Sequence, residues 1–134
     1  MYLQTFEKAD DFLNEVFHRH AIKNDIVENI SRQSIVAYEG SKIVGAITFI
    51  LFYGEAYIDE FAVMEEYRHQ GIGSKLIIEV ERYCKHRGVS HISLSTYEFQ
   101  APKFYKKMGY TVEFIRKNKI RKELDRYYFI KYLQ

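Results

Sequence analysis

The sequence predicts an α/β (α+β) fold: a mixed sheet with helices packed on both of its faces. Three observations carry that reading. Apolar residues recur at helical spacing in two segments. Three stretches of strand character, separated by short Gly-containing turns, lie between those segments. Beyond the second helix, strand and helix patterns alternate before the chain closes on two strands, so the elements run α, β, β, β, α, β, α, β, β. Helices on both faces of one sheet are the simplest packing for that order.

The first helix is expected at 10–20, where Phe12, Leu13, Val16 and Phe17 fall on one face. Strands at 34–38 and 42–52 meet at Glu39-Gly40-Ser41. The second of them is nearly continuous in apolar residues, as a strand covered on both faces would be. Gly54-Glu55 turns the chain into a third strand, 56–64, completing an antiparallel meander. A polar, Gly-bearing loop at 65–73 then runs into a helix through about Arg87, with Ile72, Leu76, Ile77, Val80 and Cys84 as its apolar stripe and Gly88 as its stop. A short strand at 90–96, a brief helix at 101–107 ended by Gly109, and closing strands at 110–115 and 126–133 complete the set. Neither a repeat nor a linker interrupts it, and 134 residues suit one domain, 1–134.

Composition narrows the function classes. With 28% charged residues and one Pro, the chain does not read as disordered. No apolar run approaches the roughly 20 residues of a bilayer span, so no membrane partner is expected. Met1 to Asp10 lacks the basic-then-apolar order of a signal peptide, and a single cysteine, Cys84, rules out an internal disulfide framework. A cytoplasmic location is the expectation. The net charge of +2 hides a split: residues 1–66 carry 12 acidic and 5 basic side chains, residues 67–134 carry 6 and 15. Solvated surface would account for that, and so would a basic half that meets an anion.

The loop at 68–73 carries the strongest signal. A strand delivers the chain to Arg68-His69-Gln70-Gly71-Ile72-Gly73 and a helix begins there. The first amides of a helix have no intrahelical acceptor, and the helix dipole adds partial positive charge at the same end. Together they make an anion seat. Gly71 and Gly73 are expected to let backbone approach a phosphate without an intervening Cβ, with Arg68 adding charge and Ser74 a hydroxyl. The spacing lacks the third Gly of a dinucleotide fingerprint and the Gly-Lys-Ser/Thr of a P-loop.

Arg68-x-x-Gly71-x-Gly73 resembles the Arg/Gln-x-x-Gly-x-Gly/Ala motif of the GNAT acyltransferase superfamily. Phe61-Ala62-Val63 just upstream is similar to the family's cofactor-lining strand, and Phe104-Tyr105, three residues, Gly109-Tyr110 to its Phe-Tyr signature. The likeness covers residues 43–110 well and the last strands loosely. It implies a mostly antiparallel sheet of six to seven strands and acetyl-CoA as co-substrate, with no metal. Phe61, Ala62 and Val63 would then pair with the pantetheine arm as an added strand. Arg68, His69, Gln70, Gly71, Ile72, Gly73 and Ser74 would hold the pyrophosphate, and a primary amine of a small molecule or peptide would accept the acetyl group. Tyr105 matches the family's general acid, and the Val63 N–H its oxyanion donor.

The base stays open between Asp59, Glu60 and Glu98, or an ordered water. Adjacent strand residues face opposite sides, so at most one of Asp59 and Glu60 should point at the site. His69 reads as exposed, and His18 and His20 lack metal-ligand spacing. Cys84, on the apolar stripe, reads as buried filler. For 116–122 a solvated hairpin turn is favoured over a grip on an acidic substrate or on the cofactor's 3′-phosphate. Two rival functions remain: an acyl-CoA-binding sensor without turnover, and nucleic-acid binding by the basic half, which lacks any aromatic-basic motif of a binding module. The aromatic strand surface at 127–132 would suit a homodimer.

Overall fold

A computed structural model of the chain describes residues 6–28 and 30–134. The elements are α1 (Phe6–Lys23), β1 (Ser31–Glu39), β2 (Lys42–Phe52), β3 (Glu55–Val63), α2 (Ile72–His86), β4 (His91–Tyr97), α3 (Pro102–Lys107), β5 (Thr111–Arg116) and β6 (Arg126–Tyr132). Single 3-10 turns lie at Glu65–Tyr67 and Lys122–Leu124. The order is the one the sequence predicts. The six strands form one sheet in the order β1-β2-β3-β4-β6-β5. Every pairing is antiparallel except β3 with β4, which is parallel.

One face of the sheet carries the core. Ile47, Phe49, Ile58, Leu94 and Phe129 meet the α2 stripe of Leu76, Ile77, Val80 and Cys84, and Tyr105 of α3 joins them. Gly45 on β2 explains how closely α2 can lie, since a Cβ there would stand 3.2 Å from Leu76 Cδ1 and 3.3 Å from Ile72 Cγ2. Burial pushes the Cys84 thiol up to about 11, so it stays protonated and unreactive, the filler its position suggested. β2 is not covered equally on its two sides. Ile47, Phe49 and Leu51 are buried, whereas Ala46, Thr48 and Ile50 are half-buried, the pattern of an antiparallel strand with one face on the core.

α1 departs from expectation. Its apolar stripe does not reach the core: Phe12 and Phe17 are 64% and 56% exposed. Among the side chains described for this helix, Ala21 alone is buried.

A buried polar cluster ties α2 to the C-terminal strands. The Tyr110 hydroxyl donates to Glu81 Oε2 at 3.0 Å, and Lys131 Nζ donates to both Glu81 oxygens (3.2 and 3.1 Å) and to the Met108 carbonyl (2.9 Å). Burial first, then the Glu81 charge beside it, holds the Tyr110 hydroxyl far above its ordinary range. The basic stretch before β6 is the expected solvated hairpin connection, exposed throughout 116–122 and ordered by side-chain bonds to its own backbone. Asp125 accepts from the Asn118 N–H at 2.8 Å, and Asn118 Oδ1 accepts from the Ile120 and Arg121 amides at 2.9 Å. The Asn118 hydrogen bond, outweighing burial and helped by Lys117, lowers the Asp125 carboxyl.

Candidate active site

The site begins as a fault in β3. Thr48 pairs with Glu60 and Phe49 with Ile58, which leaves Asp59 as an extra residue with no partner on β2. Such a bulge bends its strand and increases its twist. β3 and β4 pair only at Ala56 with Ile92 and Tyr57 with Ser93, immediately before the bulge. Beyond that point they part, and a cleft of about 990 Å³ opens between residues 58–63 of β3 and Leu94, Ser95 and Thr96 of β4.

The bulge also resets which way side chains point. Ala56 and Ile58 face the core before it, and Phe61 and Val63 pack against the core after it. Strict alternation would admit only one of Asp59 and Glu60 to the site. The extra residue removes that restriction, and both line the cleft. Arg32, two strands away on β1, reaches both: its Nη2 lies 2.5 Å from Asp59 Oδ2 and 3.7 Å from Glu60 Oε1.

Hydrogen bonding along β3 decides what the cleft sees of its backbone. The Met64 amide donates to Val44 O at 2.8 Å and the Glu60 amide to Thr48 Oγ1 at 3.1 Å, both toward β2. Amides alternate along an extended strand, so those of Phe61 and Val63 point the other way, into the gap where β4 has moved off.

At the far end of β3 the Glu65–Tyr67 turn leads into the loop, which holds two left-handed residues, His69 (φ 64°) and Gly71 (φ 78°). Gly71 caps α2, and the first amide of the helix to find an intrahelical partner is that of Lys75, which donates to Gly71 O at 3.0 Å. The amides of Ile72, Gly73 and Ser74 precede that bond and present the partial positive end of the helix to the cleft.

The two glycines differ in what the fold itself asks of them. Gly71 is required for its positive φ, since a Cβ there would meet nothing within 4 Å. Gly73 is required for packing: a Cβ would stand 3.2 Å from Phe61 Cζ and 3.6 Å from Phe104 Cζ. Arg68 bends back so that Nε donates to Val63 O at 3.0 Å, which ties the loop to the strand.

Nine of the ten residues singled out for the cofactor line the cleft: Phe61, Ala62, Val63, Arg68, His69, Gly71, Ile72, Gly73 and Ser74. Gln70 does not. It belongs to a separate hollow of about 380 Å³ between β1 and α2. Tyr105 also lines the cleft, with its ring buried edge-on against Phe61, Phe104 and Tyr110. Loss of hydration raises its hydroxyl to about 12. Glu98 is absent from the lining. Its carboxylate sits instead against the Tyr127 hydroxyl, which it raises.

The structure adds residues that the sequence reading passed over. Ser95, Thr96, Gln100 and Phe104 line the cleft. Thr96 and Gln100 shape the entry to α3: Thr96 Oγ1 accepts from the Ala101 amide at 3.4 Å, and Gln100 Oε1 from the Tyr97 amide at 3.1 Å. Phe104 lay inside a motif already noted, next to Tyr105. For Arg32 no local signal existed, because only sheet register carries it to Asp59.

The acetyltransferase (GNAT) family model matches residues 3–110, a span that holds the bulged β3, the parted β4 and the start of α2. The chain belongs to the GNAT acetyltransferase family. Among curated relatives, it is 26% identical to the spermidine N(1)-acetyltransferase of Thermoplasma acidophilum over 80% of this chain and 70% of that protein. It is 34% identical to the uncharacterized N-acetyltransferase YjcF of Bacillus subtilis, over 66% of this chain and 61% of that one. The chain thus spans about three-fifths of the length of YjcF. A solved acetyltransferase structure from Bacillus cereus ATCC 14579 superposes with a TM-score of 0.83 at 29% identity, covering 99% of this chain and 96% of the other. N-acetyltransferase is accordingly the enzyme class of this GNAT chain.

Proposed function

We propose that this GNAT protein transfers acetyl from acetyl-CoA directly to a primary amine while both substrates are bound. The observation that carries the proposal is the parted pair β3 and β4. One wall of the gap offers the amides of Phe61 and Val63, and the start of α2 lies at its end. A pantetheine arm is an extended chain with amide groups, and it can complete β3 as a strand would. The diphosphate then falls to the amides of Ile72, Gly73 and Ser74, with the Ser74 hydroxyl beside them. Acetyl-CoA supplies the activated thioester; the chain supplies position, hydrogen bonds and a place for the proton.

In this reading the Val63 amide faces the thioester oxygen and stabilises charge as it gathers there. Tyr105 donates a hydrogen bond to the departing sulfur. Of the two carboxylates at the bulge, Asp59 is held by Arg32 at 2.5 Å, whereas Glu60 stands 3.7 Å from Arg32 with 76% of its side chain exposed. Glu60 is thus the freer group to take the amine proton, directly or through water, and Asp59 with Arg32 fixes the bulge. Similarity to a spermidine acetyltransferase supports an amine as acceptor. The reaction draws on cytoplasmic acetyl-CoA.

The test is release of free thiol from acetyl-CoA across a panel of amines. Turnover that requires an amine and yields the N-acetyl product is expected. Tight coenzyme A binding with no thiol released from any amine would instead support an acyl-CoA sensor.

A further inference from the structure

The face of the sheet opposite α2 and α3 carries two arginines that the reaction scheme leaves unused. Arg116 on β5 and Arg126 on β6 are cross-strand partners. Like charges set directly opposite each other in a sheet are destabilising. Among the described residues neither guanidinium lies within 4.0 Å of a carboxylate, although seven other contacts of Lys or Arg with carboxylates do form. Arg126 is held in place, and Arg116, though exposed, leans toward the same ring. The Arg126 guanidinium stacks 5.6 Å from the Tyr97 ring and 5.2 Å from that of Tyr128, and Arg116 lies 5.8 Å from the same Tyr128 ring. Two positive charges thus share one aromatic platform.

That platform adjoins the cleft. Arg126 donates to Ser95 Oγ from Nε (2.9 Å) and from Nη2 (2.7 Å), and Ser95 lines the gap between β3 and β4. Register places Ser95 opposite Tyr128, on the face away from α3, while its neighbours Leu94 and Thr96 face the core. The cleft therefore opens through the sheet onto this second face. Asp59 and Glu60 stand on its β3 bank, while Arg126 of β6 reaches its β4 bank through Ser95 and Arg116 lies one strand farther out on β5.

We infer that Arg126 and Arg116 form a subsite for an oxyanion borne by the acceptor, so that the substrate carries both an amine and a carboxylate or phosphate. This rests on the acetyl-transfer reading above. Ser95 engages the Nε/Nη2 edge of Arg126, so its Nη1/Nη2 end and the Arg116 guanidinium are what meet an oxyanion in a planar, two-point contact, and stacking on tyrosine lowers the freedom such a contact costs. The amine is drawn to the acidic bank and the anion to the basic one, which orients the molecule across the gap. A polyamine, lacking any anion, would leave the arginine pair unanswered.

The experiment uses a series of ω-amino acids of different chain length, their carboxamides, and the matching ω-amino alkyl phosphates. The subsite predicts that kcat/KM for the best oxyanion-bearing amine exceeds that of its uncharged partner by about 10-fold or more. In Arg126→Gln and Arg116→Gln that ratio should fall to within about twofold, with coenzyme A affinity unchanged and Arg126→Lys restoring only part of it. The carboxylate and phosphate arms tell which oxyanion is read. Equal or better use of the carboxamides by the wild type, or a preference that survives in both Gln variants, overturns the subsite. A second readout does not depend on turnover: the arginine Nε–H resonances of coenzyme A-saturated protein, titrated with the same amino acids and amino phosphates. Should no amine be acetylated, shifts confined to Arg116 and Arg126 uphold the subsite while the transfer reading fails. Absence of those shifts overturns it.

Discussion

Tyr105→Phe is expected to lower kcat by about 10²- to 10³-fold while leaving coenzyme A affinity within about twofold. The substitution removes one oxygen from a ring otherwise wedged among Phe61, Phe104, Tyr110 and Phe129, so the fold should persist. Its effect on rate follows from where the hydroxyl stands. Burial raises it to about 12, whereas an ordinary thiol ionises near 8.5. Complete proton transfer to a fully hydrated thiolate would thus be uphill by about 5 kcal/mol. Tyr105 can work here as a hydrogen-bond donor that strengthens as charge builds on sulfur, and as an acid only once the same dry walls have made the thiolate more basic. The sign for pH follows. A raised value keeps the phenol protonated up to about pH 12, so kcat/KM should rise as the amine loses its proton and show no fall from Tyr105 between pH 7 and 11. A descending limb near pH 10 that disappears in the Phe variant would contradict this assignment.

Gly73→Val should weaken coenzyme A binding by about 100-fold, measured by calorimetry. The added Cβ would approach Phe61 Cζ to 3.2 Å, and the two methyl groups beyond it would press on Phe61 and Phe104 together. Phe61 belongs to the strand whose amides line the gap, so displacing its ring disturbs the strand wall and the helix start at once. Gly71→Ala separates the two roles of glycine in this loop. Its Cβ meets nothing, and the cost is left-handed backbone, about 1–2 kcal/mol of stability. Affinity lost equally in both variants, with no difference in stability, would mean that packing at Gly73 has no special part.

How far the sequence discloses this site depends on the distance over which each part is encoded. The order of elements and the start of α2 are written locally, in periodicity, Gly54, Gly71 and Gly88. The loop at 68–73 and the Phe104-Tyr105 pair are likewise contiguous motifs, and all of these residues but Gln70 line the cleft. What escaped the reading is set by pairing between strands. A bulge is visible only when β3 is aligned with β2, so the rule of alternation wrongly separated Asp59 from Glu60. Arg32 reaches them because β1 lies beside β2, a neighbour relation that no local pattern announces. Glu98 looked well placed at the end of β4, yet the chain turns there and gives its carboxylate to Tyr127. The apolar stripe of α1 satisfied helical periodicity without reporting what it packs on, and much of it is exposed.

Amide resonances of nitrogen-15-labelled protein test the central claim most directly, titrated with coenzyme A and, separately, with pantetheine. Donation from the start of α2 to the diphosphate predicts large shifts at Ile72, Gly73 and Ser74 with coenzyme A and none there with pantetheine, while Phe61 and Val63 shift with both. Coenzyme A binding that leaves the amides of Ile72, Gly73 and Ser74 unmoved would contradict the account.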